Sequence, residues 1–187
     1  MKTMKMNILN LFLIFGFFWV SLNGNSQDIK LSRQELKEVR KAQMVANFNI
    51  LDSLLSAKSF VLEADFLQNK YGYRIPVTQF LNFVKVDVSN GILQTGSNFG
   101  MGYNGVGGVT AEGSVGGWEI DKDYKKLVFR LQFNLTTNLG NFDIYMIVTS
   151  DNHATATITG TGSGKLTWEG HLETINNSRV FKGQDTF

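Results

Sequence analysis

The chain has 187 residues, 18 basic and 16 acidic side chains, a formal charge of +2 and no cysteine. The missing cysteine excludes a disulfide framework, thiolate metal sites, cysteine nucleophiles and a lipid-modified cysteine anchor. Without Lys2 and Lys5, which lie in the N-terminal segment discussed next, basic and acidic residues balance at 16 each. A sequence-independent nucleic-acid binder needs a net basic field to release counterions, so no nucleic-acid partner is expected.

Lys2 and Lys5 precede an apolar stretch from Ile8 to Leu22, broken only by Asn10, Gly16 and Ser21, and the polar run Asn23-Gly24-Asn25-Ser26 follows. This is the pattern of a secretory signal peptide over residues 1–26, with Gly24 and Ser26 at the −3 and −1 positions of the cleavage site. A membrane anchor is the competing reading, since the stretch approaches the length of a span. Cleavage after Ser26 leaves no transmembrane span and predicts a periplasmic or secreted protein.

Residues 27–58 read as a helical segment. Ser32-Arg33-Gln34-Glu35 is a capping box, in which serine and glutamate each satisfy a backbone N–H at the helix start. Met44, Phe48, Leu51 and Leu55 follow at the 3.6-residue period, so the second half has a face to bury. The first half, with Lys30, Arg33, Lys37, Arg40 and Lys41, reads as solvated.

From Ser59 the period becomes two. Phe60, Leu62, Ala64 and Phe66 alternate with Val61, Glu63 and Asp65, and the pattern is clearest where Leu127, Phe129, Leu131, Phe133 and Leu135 alternate with Val128, Arg130, Gln132 and Asn134. Asn90-Gly91 is expected as a two-residue hairpin turn. Strands near 60–67, 81–88, 92–97, 109–120, 126–135, 142–149, 154–159 and 165–172, joined by short turns, make an antiparallel meander of about eight. The predicted fold is mainly β: an N-terminal α-helix followed by an antiparallel meander over residues 59–187, closed as a barrel or strongly curved, forming one domain with the helix.

Glycine recurs nine times from Gly96 to Gly117, including Gly100-Met101-Gly102-Tyr103-Asn104-Gly105, a literal G-x-G-x-x-G. A dinucleotide site needs that turn to open a helix, and the strand-like run that follows here argues against one. Binding sites concentrate on loops carried by rigid scaffolds, so Gly100, Gly102, Tyr103, Asn104 and Gly105 are the candidate ligand-binding residues. Gly162-Ser163-Gly164-Lys165 lacks the Ser or Thr that a P-loop places after its lysine and reads as a hairpin turn.

The two histidines, His153 and His171, stand at no metal-ligand spacing, and no G-x-S-x-G elbow is present. No catalytic residue, metal site or cofactor is therefore assigned. Glu63 with Asp65, and His171 with Glu169, share strand faces and are the nearest approach to an acid–base pair. Asn134-Leu135-Thr136 and Asn176-Asn177-Ser178 are sequons, relevant only where the host glycosylates.

Three stretches carry a resemblance: Tyr71-Gly72-Tyr73-Arg74-Ile75-Pro76-Val77, the run from Asn98 to Gly113, and Ser178-Arg179-Val180-Phe181-Lys182-Gly183-Gln184. In them the chain resembles a bacterial family called domain of unknown function 4251, found in exported proteins of the Bacteroidetes. The resemblance implies an exported or periplasmic location and brings no activity. A binding module for a small apolar ligand or a cell-envelope partner, using the glycine-rich loop or a barrel mouth, is the first expectation. A structural envelope or assembly protein docking through the basic helix half is the second. An envelope carbohydrate or peptide hydrolase using Glu63, Asp65, Glu112 or Glu169 is the third.

Overall fold

A computed structural model describes residues 32–97, 102–160 and 164–186. The expected signal peptide, 1–26, lies outside them. The chain divides into two compact units, Met1–Lys37 and Glu38–Phe187.

In the described part of the first unit the capping box forms: Ser32 N–H donates to Glu35 Oε2 at 2.6 Å, and Glu35 N–H donates to Ser32 Oγ at 3.3 Å. The Ser32 backbone N–H, and after it the Ser32 hydroxyl, holds the Glu35 carboxyl below the usual carboxylate range. Helix α1 runs Arg33–Ser56. Just past its end Lys58 takes a left-handed conformation (φ 51°) and its N–H donates to Leu55 O at 3.2 Å.

Nine strands follow: β1 Ser59–Asn69, β2 Arg74–Pro76, β3 Phe83–Asp87, β4 Asn90–Thr95, β5 Val109–Asp123, β6 Val128–Thr137, β7 Gly140–Thr149, β8 His153–Thr159 and β9 Lys165–Glu173. Neighbours in sequence pair antiparallel from β3 to β9, and β1 takes β3 on one edge and β9 on the other. Eight strands thus close a barrel, while short β2 extends the β3 edge of β1 through Phe66↔Pro76 and Gln68↔Arg74.

The predicted Asn90-Gly91 turn is corrected by the register. Asp87 pairs with Asn90 and Val86 with Gly91, so the two loop residues are Val88 and Ser89. Val88 sits at φ 57°, held by its N–H bond to Lys58 O (2.8 Å), and Ser89 O accepts from Val115 N–H (2.8 Å). Gly91 has a different reason to be glycine: a Cβ there would come within 2.8 Å of Leu135 Cδ1 and 2.9 Å of Val115 Cγ2.

On most strands apolar residues point inward and polar ones outward, while Val61 and Phe83 are buried on the outer face, in register with Lys85 and Glu63. Phe60, Leu62, Phe129, Leu131, Met146 and Trp168 are fully buried inside. One end is covered by the second half of α1: Phe48 stacks on Phe129 (centroids 4.2 Å, 11°), Asp52 pairs with Lys122 at 2.5 Å, and Leu51 and Leu55 join the core. Met44, expected on the same face, is 37% exposed. Among the described residues no helix is long and apolar enough to cross a membrane.

Candidate functional site

The antiparallel register sets the turns after β1, β4, β6 and β8 at the end away from α1. Between them lies a cavity of about 490 Å³. Its apolar wall comes from Leu93 of β4, Leu139 of the β6–β7 turn, Phe142 of β7, Ile158 of β8, and Leu166 and Trp168 of β9. The last two face inward because strand residues two apart share a face. Thr95, Gly160, Gly164 and Lys165 complete the lining.

Trp168 is the most enclosed of the lining residues. It is fully buried, and among the described residues its Nε1–H is the buried side-chain group without a hydrogen-bond partner. An unmet buried donor costs roughly 1–3 kcal/mol.

The glycine-rich loop, the expected ligand contact, is held by its own hydrogen bonds. Gly100 lies outside the described residues. Tyr103 is 81% exposed, while Asn104, its neighbour, is 1% exposed. The Asn104 amide donates to Thr95 O (3.0 Å) and Thr110 Oγ1 (3.1 Å), and its Oδ1 accepts from Val106 N–H (3.1 Å) and Gly108 N–H (2.9 Å). Gly105 N–H donates to Gly102 O at 2.9 Å, and Gly105 has φ 74°.

That loop is locked beneath the C-terminal segment, which runs over the outside of β4 and β5. Gln184 N–H donates to Asn104 O and Thr186 N–H to Thr110 O, both at 2.9 Å. Fully buried Gln94 donates to Phe181 O (2.8 Å) and accepts from Gly183 N–H (2.7 Å) and Thr110 Oγ1 (2.9 Å). Phe181 stacks on Phe80, and Lys182 bonds to Glu112 and, at 2.9 Å, to Asp185. The hydrogen bond to Glu112 raises the Lys182 pKa most strongly, burial opposes it less strongly, and the bond to Asp185 adds a smaller rise.

Two of the four candidate acids are drawn apart by basic partners. Glu112 goes to Lys182, and Glu169 pairs with Arg74 at 2.5 Å instead of standing by His171. His171 lies across from Glu63 in the β1–β9 register, with Nε2 3.7 Å from Glu63 Oε2 and Nδ1 3.9 Å from Asp65 Oδ2. Ser178 Oγ donates to Glu63 at 2.6 Å and Gln79 donates to Asp65, so the serine hydroxyl is engaged by an acid and not by the histidine. Among the described residues no group of three or more His, Cys, Asp or Glu could hold a metal ion.

Strand periodicity identified the barrel's inner residues, but nothing local in the sequence marked Leu139, Phe142 and Leu166 as a mouth. The signal available was the alternation itself, which sets Leu166 and Trp168 on one face.

Fold and cavity together define a class: a small antiparallel β-barrel stoppered at one end by a helix and hollow at the other. Residues 42–172 match the family model described as Domain of unknown function (DUF4251), and the chain belongs to that family. It is similar to a crystal structure of a DUF4251 family protein from Bacteroides eggerthii, at 31% identity and a TM-score of 0.62, over 74% of this chain and 96% of that one. No curated protein matches the chain.

Proposed function

We propose that the protein is an exported binding module that holds a small apolar molecule in the mouth of its barrel. The observation that carries this is the cavity of about 490 Å³, walled by six large apolar side chains. Small-molecule sites span roughly 300–1,000 Å³ and are mostly apolar with a few polar groups. The signal-peptide pattern of residues 1–26 supports the exported setting.

Native mass spectrometry of protein purified gently from cells that make it tests both parts. The expected spectrum begins at Gln27 and carries an apolar adduct. An uncleaved N-terminus removes the exported setting, and ligand-free spectra from repeated gentle preparations remove the binding role.

A further inference from the structure

We propose that the mouth takes a single-chain amphiphile with an anionic head, its body in the cavity and its head at Lys165; this rests on reading the cavity as a ligand site. The lining sorts by chemistry along the depth of the barrel. Leu166 and Trp168 point inward from β9, while Lys165, the first residue of that strand, is exposed and is the one charged residue of the described lining. A molecule that satisfies both parts is apolar along most of its length and negative at one end.

The neighbouring strand end adds a second cation. Asn69, the last residue of β1, pairs with Leu166, so Lys70 and Lys165 stand at adjacent positions one step beyond the pairing. No ion pair involves either lysine among the described residues. The carboxylate in the same register row, Asp143, faces Thr159 on β8 and is thus two strands from Lys165, about 10 Å by interstrand spacing. The rim on the β9–β1 side is therefore electropositive.

The energetics fix the orientation. A carboxylate driven down to Trp168 would lose its hydration with no cation to meet it, whereas at Lys165 it stays wet and paired. The alkyl body gains from leaving water, CH₂ by CH₂.

Calorimetric titration of the mature chain with dodecanoate and with dodecanol, at low salt and below the concentrations at which they aggregate, tests this. Dodecanoate is expected to bind about fivefold more tightly, as a largely exposed ion pair allows. Lys165→Gln should remove that preference while leaving dodecanol binding unchanged, and added salt should shrink it. Leu139→Trp, or Phe142→Trp if the first variant does not melt cooperatively, should abolish binding of both. Equal binding of the two probes to the wild type, or a preference that survives Lys165→Gln, overturns the anionic head and leaves the apolar mouth standing. Failure of both probes to bind, or binding that survives the blocking variants, overturns the mouth itself.

Discussion

Asn104→Ala separates the two roles open to the glycine-rich loop. Four hydrogen bonds converge on this nearly inaccessible amide, two given and two received, and they tie Thr95, Val106, Gly108 and Thr110 together. At a net ~0.5–1.5 kcal/mol each the bonds sum to about 2–6 kcal/mol. Water can reach part of a surface loop once the amide is gone, so about 3 kcal/mol is the expected loss. For a chain of this size that is a fall of about 6–12 °C in Tm. Thermal and urea unfolding followed by tryptophan fluorescence read it directly. Tyr103→Ala, one residue away and exposed, should stay within ~0.5 kcal/mol of the wild type. If Asn104→Ala also stays within that margin, the amide does not hold the loop, and a ligand contact becomes the better account of why it is there.

Gly170→Ala should damage the barrel at its seam. A Cβ there would lie 1.9 Å from Glu63 O and 2.9 Å from Ala64 Cα, so β1 and β9 must part to admit it. The expected cost is ~3 kcal/mol or more, the upper part of the overpacking range, and an unchanged urea midpoint would refute the close approach. The C-terminal strap should weaken in alkali. Because folding raises the Lys182 pKa, its contribution is complete below the ordinary lysine value, ~10.4, and is lost as pH rises through the folded value. The stability difference between wild type and Lys182→Gln should therefore be flat at neutral pH and shrink above that point; a difference independent of pH would sink the account.

Much of the architecture was legible because it is local. The capping box fixed the start of α1, and the two-residue alternation placed eight of the nine strands to within a few residues. β2 escaped because three residues are too few to show a period, and β3 proved shorter than its apolar run because Asn82 leaves the strand to bond Thr78 O and Gly96 O. Asn90-Gly91 misled for a physical reason: glycine is demanded there by Leu135 and Val115, which lie far along the chain. The glycine-rich loop, too, is tied to residues far along the chain. The loop that looked functional from its glycines, Gly102 to Gly108, is engaged with the C-terminal segment, and Gly183 is packed so tightly that a Cβ would meet Asn104 O at 2.5 Å. The cavity gathers residues from four strands and two turns, a grouping that only closure of the sheet creates.

That closure also sets a timetable. The seam joins Val61 to Glu173 and Asn69 to Leu166, so the last pairing waits until the whole meander between them is laid down. Contacts this distant in sequence belong to the slow end of small-domain folding, milliseconds to seconds. During that interval β1 and β9 each present a row of unmet backbone groups, the template on which strands of different molecules associate. The completed ring is closed along that seam, whereas the nearly completed one offers a neighbour two edges.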